Sequence, residues 1–219
     1  ESGGDLTGGS YEWLFASGSN SNPWGNKWAA VNVIFDSLQS YTYNTGANNT
    51  ITLVNGKWYT MNWEDAGYNG TRAIFMRTSA EPVQISGVSV PGAVNPNEAV
   101  TITLTLSGAP SPEEIFYLRY SADAWVTSVC LPFLMTGSSG TAIIPGQLAG
   151  DTVSYYAFSS TKPGLSDLFD LYTIRMNNNG GTNYVYTVTN PTPVITFCNL
   201  QSPAVGNIEP GQTFNVTGH

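Results

Sequence analysis

Histidine occurs once in the chain, at its last residue, His219. Ser-His and Cys-His nucleophilic machinery therefore has no base, and histidine-based metal sites are excluded for the same reason. Glycoside hydrolysis asks for two carboxyl groups about 5–10 Å apart across a cleft. The pairs on offer, Glu64-Asp65 and Glu113-Glu114, are sequence neighbours, and on an extended strand neighbours point to opposite faces. Both pairs fit turns better, as solvated charges. No glycine-rich loop leads into a helix that would cradle phosphate. The inventory predicts a chain that is not an enzyme. Asp167, Asp170, Asn177, Asn178 and Asn179 supply the oxygen ligands that calcium prefers. Their spacing matches no known calcium loop, and turn formation is the plainer reading; no other cofactor is expected.

Aromatic residues offer a different chemistry. Of the six tryptophans, Trp13, Trp24, Trp28, Trp58 and Trp63 precede residue 82, and Trp125 follows it. In "KWYTMNW" (57–63), strand alternation places Tyr59, Met61 and Trp63 on one face and Trp58, Thr60 and Asn62 on the other. The first set has the character of a core. The second puts a tryptophan beside hydrogen-bonding groups, an arrangement that suits sugar rings: their C–H faces stack on the indole while their hydroxyls bond. "NPWGNKW" (22–28) adds Trp24 and Trp28 on a Gly/Pro/Asn loop, where function commonly resides. The candidate ligand-binding residues are therefore Trp24, Trp28 and Trp58, joined by Asn62, Asp65 and Arg72. The competing assignment makes these tryptophans core filler, or contacts to a neighbouring domain.

The elements that must position these residues are strands. Helical periodicity is almost absent, and short β-branched and aromatic runs punctuated by Gly, Pro and Asn recur throughout. Charged residues make up only 10 % of the 219, with Lys+Arg 7 against Asp+Glu 15 and a formal net charge of −8. Phosphate neutralisation needs clustered bases, so nucleic acid is not an expected partner. An anionic membrane surface is disfavoured likewise, and no apolar run approaches the roughly 20 residues of a transmembrane helix. A hydrophobic content of 41 % with 12 % aromatics supports packed cores rather than disorder. Solubility resting on Asn, Ser, Thr and Gly suits an extracellular protein.

The fold class expected is all-β: two consecutive antiparallel β-sandwich domains, plus the start of a third. Residues 1–82 form the Trp-rich domain, with strands at 11–15, 30–35, 40–44, 50–54, 57–63 and 72–76, and "NG" (55–56) as a tight hairpin turn. Residues 83–190 carry alternating runs in the manner of an immunoglobulin or fibronectin-III sandwich: 83–90, 98–107, 115–121, 125–131, 140–146, 151–160 and 182–189. Trp125 is expected to be largely buried. Tyr155 and Tyr156 should lie on opposite faces of their strand, so that only one reaches the sandwich core. The insertion 161–181 contains a further strand in "DLYTIRM". The opening "ESGGDLTGGS" has the look of a processed or trimmed end. After the proline-stiffened linker "NPTPV", residues 191–219 hold two strand-like runs, too few to bury a core alone, which implies a longer parent protein. Cys130 and Cys198 either pair or remain two buried thiols.

Four stretches, "YTMNWEDAGYNGTRAIFM", "PSPEEIFYLRYSADAWVTS", "IPGQLAGDTVSYYAFSS" and "DLYTIRMNNNGGTNYVYTV", carry a family likeness. There the chain resembles the tandem β-sandwich modules of large secreted Bacteroidota proteins, often attached to glycoside hydrolases or other hydrolases. Such proteins commonly end in a sorting domain for type IX secretion. "CNLQSPAVGNIEPGQTFNVTGH" is similar to the start of the following module. The resemblance implies an extracellular or cell-surface location, neighbouring domains in a longer chain, and an accessory role that includes binding polysaccharide or a surface glycan. The alternative is a stalk, adhesin or surface-filament segment without sugar binding.

Overall fold

The computed structural model describes residues 6–189 apart from Pro23, Thr45, Tyr68 and Asn69. The expected linker and third domain (191–219), the outermost N-terminal residues, Cys198 and His219 lie outside the described residues. Those described form an all-β structure of antiparallel sheets. The first module contains β1 (Gly9–Trp13), β2 (Phe15–Ala16), β3 (Lys27–Ala29), β4 (Gln39–Ser40), β5 (Thr42–Tyr43), β6 (Asn49–Leu53), β7 (Trp58–Glu64) and β8 (Arg72–Thr78). They assemble into three small sheets, ordered β1-β6, β2-β3-β5 and β4-β8-β7. Trp28, Tyr41, Ile51, Ala73 and Phe75 fill the core between them, with Trp13, Phe15 and Trp63 packed against it. Edge-on contacts such as Trp13–Phe15, at 4.8 Å between centroids and 89°, let aromatic rings substitute for the apolar depth that such short strands lack.

Three local expectations fail in this module. Residues 30–35 are not a strand. Ala30 and Asp36 sit at positive φ, and between them only an isolated parallel bridge forms: Val33 N donates to Thr50 O and Thr50 N to Val31 O, each 2.8 Å, while the buried Asn49 side chain accepts from Val31 N (3.0 Å) and donates to the preceding Trp28 O (3.1 Å). The alternation nonetheless survives, since Val31, Val33 and Phe35 pack inward while Ile34 is exposed. Asn55-Gly56 is a turn, with Gly56 at φ 71°. It joins strands of two different sheets rather than the arms of a hairpin: β6 pairs with β1, and β7 with β8. The face of β7 expected to be core leaves Met61 exposed.

The second module contains β9 (Ile85–Val88), β10 (Val100–Leu106), β11 (Ile115–Ser121), β12 (Val129–Pro132), β13 (Leu134–Thr136), β14 (Ser139–Ile144), β15 (Thr152–Ser160), β16 (Met176–Asn177) and β17 (Tyr184–Thr187). One sheet runs β13-β14-β10-β9; the other runs β12-β11-β15-β16, with β17 also paired to β15. The two face each other across Ile102, Leu104, Phe116, Leu118, Ile144, Val153 and Tyr155. Tyr155 and Tyr156 lie on opposite faces as alternation requires, yet both are buried, because a second core covers the outer face. Trp125 is partly buried, packed against the second core rather than between the two sheets. The run 125–131 begins as a turn: Ala124 and Trp125 have φ of 55° and 68°, and Ser121 Oγ accepts from Trp125 N at 2.8 Å. The strand starts only at Val129. In "DLYTIRM" only Met176 joins a strand; Leu171 and Tyr172 are buried in turns.

That second core joins the modules. β8 carries "RAIFM", an apolar run buried on both sides: Ala73 and Phe75 face the first core, while Ile74 and Met76 pack on Tyr117, Tyr156, Phe158, Leu165, Leu171 and Tyr172. The connection at 79–84 is bonded throughout. Glu113 accepts from Ser79 N (3.0 Å), from Ser79 Oγ and from Ser111 Oγ (2.5 Å). Glu114, 8 % exposed, accepts from Val83 N (3.2 Å), Ser111 N (3.0 Å) and Ser159 Oγ (3.1 Å). The Glu113-Glu114 pair is thus the fastening of the junction, not a pair of solvated charges. Buried backbone N–H groups need acceptors, and a carboxylate supplies several at once.

Candidate functional site

The six candidate residues separate into different environments. Trp28 is only 6 % exposed, and the expectation that it stacks on a ligand is corrected: its indole is packed within the first core beside Tyr43 and Trp63. Asn62 is half-buried and, with Arg72, lines a recess between the two modules. Its amide nitrogen donates to Leu171 O (2.9 Å) and Thr173 O (2.6 Å), clamping β7 to the insertion of the second module. Asp65 closes its own turn by accepting from Gly67 N at 3.1 Å. Arg72 Nε donates to Glu64 at 2.6 Å, and that hydrogen bond is the main reason its guanidinium is held above its ordinary pKa. Trp24 and Trp58 remain exposed, at 63 % and 42 %.

Each exposed tryptophan lines a recess on the first module. Trp58 borders a groove of about 650 Å³ with Tyr11, Trp13, Lys57, Tyr59 and Met61 among its walls. Trp24 borders a recess of about 490 Å³ with Glu12, Trp13, Leu14, Lys27 and Asn48. Glu12 and Trp13 line both, so the two recesses adjoin across β1. The polar groups here are partly set by one another. Asn48 donates to Glu12 at 3.1 Å, and Tyr59 OH accepts from Val54 N at 2.7 Å. Indole faces, a lysine, a carboxylate and amides on one surface can stack and hydrogen-bond a hydroxylated ring.

A third recess, about 610 Å³, opens between the modules. Met61, Glu64 and Arg72 line it from the first module, and Arg119, Phe169 and Asp170 from the second. Arg119 is held by donation to Ser128 Oγ and Tyr156 OH, each 3.0 Å. Its guanidinium lies 4.2 Å from the Phe169 ring centre and 5.4 Å from that of Trp125. Arg119 and Phe169 were not among the candidates, and Asp170 was one only as an ion ligand. The available signal was a lone arginine in the otherwise apolar strand "IFYLRYS"; what faces it depends on the docking of the modules.

Of the three asparagines in the calcium candidate, Asn178 and Asn179 form a turn and Asn177 lies in β16. Asn177 Oδ1 accepts from Tyr184 OH (2.9 Å), Asn178 Oδ1 from Gly181 N (3.0 Å), and Asn179 donates to Thr182 Oγ1 (3.1 Å). Among the described residues no group of three or more His, Cys, Asp and Glu side chains comes together, and no helix is long and apolar enough to cross a membrane. Cys130 is half-buried and unpaired with any described cysteine; burial pushes its thiol up to about 12. No family model matches the chain, and no curated protein matches it either.

Proposed function

We propose that the chain is a non-catalytic accessory region of a secreted or cell-surface protein, and that its first module binds polysaccharide along the surface from Trp24 to Trp58. The observation that carries this is the adjacency of the two recesses: two exposed indoles border pockets that meet at Glu12 and Trp13. A chain-like ligand can engage both at once, and linked weak contacts multiply. The second module serves as a rigid support. Its strand order, with β9, β10, β14 and β13 in one sheet and β12, β11, β15 and β17 in the other, favours the immunoglobulin-type reading. The resemblance to tandem modules of secreted Bacteroidota proteins is consistent with such a role, as is the scarcity of charge.

Stacking one sugar on one indole contributes on the order of 1 kcal/mol, by analogy with aromatic pairs. Affinity electrophoresis against glucan, xylan and chitin-derived polymers tests the reading. Trp24→Ala and Trp58→Ala should each weaken retardation about five- to tenfold. Failure of the wild-type chain to bind any of these polymers would favour the stalk, for which the bonded junction between modules is the specific supporting observation.

A further inference from the structure

The recess between the modules contains a cation without a counter-ion. Among the described residues the ion pairs are Arg72–Glu64 and Arg175–Glu81. Arg119 has no carboxylate within ion-pair distance, although acids outnumber bases 15 to 7 in this chain. Its Nε and Nη1 are occupied by neutral hydroxyls, Ser128 Oγ and Tyr156 OH. Its plane is fixed among Phe169, Trp125 and Tyr156, at 4.2, 5.4 and 5.9 Å from the ring centres. An arginine ordered in this way has already lost the rotamer freedom that binding would otherwise cost. It lines a recess of about 610 Å³, room for one or two sugar rings.

The remaining lining narrows the ligand. With Nε and Nη1 engaged, Nη2 is the nitrogen of Arg119 left to donate to a carboxylate oxygen. Glu64 is already engaged by Arg72, but Asp170 is exposed at the same recess. A compact anion such as phosphate would meet that carboxylate unfavourably. A ring bearing both a carboxylate and hydroxyls would not: the carboxylate faces Arg119, a hydroxyl donates to Asp170, and the carbon face lies on Phe169 and Met61. The geometry points to a binding site for a uronic-acid residue of an acidic polysaccharide, built from both modules, centred on Arg119 and sharing only Met61 with the groove beside Trp58. This rests on the carbohydrate reading for the class of ligand only.

Calorimetric titration with oligogalacturonate and oligoglucuronate, each beside its methyl ester, tests the site. The ester keeps the ring and removes the charge. Titrations belong at about 0.15 M salt, where the general repulsion from a net charge of −8 is screened. At least one acid oligomer should bind ten times or more tighter than its ester. Arg119→Gln should abolish the difference, while Trp24→Ala and Trp58→Ala leave it unchanged. Equal affinity of acid and ester for both sugars, measured on the wild-type chain, overturns the proposal whether or not Arg119→Gln folds; so does a preference that survives in a folded Arg119→Gln. Binding of neutral polymers sensitive to Trp24 and Trp58, without acid preference, removes this site and leaves the proposed function standing. Acid preference without neutral binding does the reverse.

Discussion

Replacing Trp28 and Trp58 by alanine should have opposite consequences, because residues of one type occupy a core and a surface. Trp28→Ala empties a position packed against Tyr43 and Trp63, and should cost about 3–5 kcal/mol of stability. Trp58→Ala should leave the denaturation midpoint nearly unchanged and weaken polysaccharide binding. Urea titrations of both variants check this. At the same scale, Glu113 is held down to about 2 from its ordinary 4.5, first by the Ser111 hydroxyl and then by the Ser79 hydroxyl and N–H. A depressed carboxyl stabilises the fold above its unfolded pKa and loses that contribution as pH falls through the folded one. The wild type should therefore lose stability between pH about 4.5 and 2 more steeply than Glu113→Gln. Parallel acid arms for the two proteins would contradict the role given to Glu113.

β8 is the element on which most of the architecture turns. Its run Ala73–Met76 has no polar alternation, so both faces must be covered, and each face lies in a different core. Ile74→Ala, at a position with no exposure, should destabilise by about 2–5 kcal/mol and release the second module's tyrosines to solvent. Tyrosine fluorescence and near-ultraviolet circular dichroism would register both effects. Most strands were legible in the sequence, since β11 coincides with its apolar run and β7, β8, β10 and β15 lie within a residue or two of theirs. Pairing was not. The "NG" turn offered a hairpin, but Asn55-Gly56 connects two sheets, and nothing local distinguishes those outcomes. Residues 30–35 kept their alternation with only a single parallel bridge, Asn32 to Thr50, and the Asn49 side chain at Val31 N in place of a full ladder. The inward turn of Trp28 and the clamp made by Asn62 were illegible for a related reason: each depends on a partner distant in sequence, Leu171 being the plainest case.

At the scale of the molecule, the shared core and the carboxylate-fastened junction predict that the two modules unfold together. Calorimetry of the chain should give one transition for residues 6–189, and Glu114→Ala, which strips acceptors from Val83 N, Ser111 N and Ser159 Oγ, should lower its midpoint. Two separated transitions in the wild type would contradict the single body described here. A rigid body matters for function because it fixes the Trp24–Trp58 surface and the recess at Arg119 relative to one another. The most direct test of the binding surface is a fluorine NMR titration of the chain labelled with 5-fluorotryptophan, using a polysaccharide that retards it. The six tryptophans report separately once assigned by single substitution. Binding along this surface should shift the Trp24 and Trp58 resonances together while Trp28 stays in place. Saturation with Trp24 and Trp58 both unmoved would contradict it.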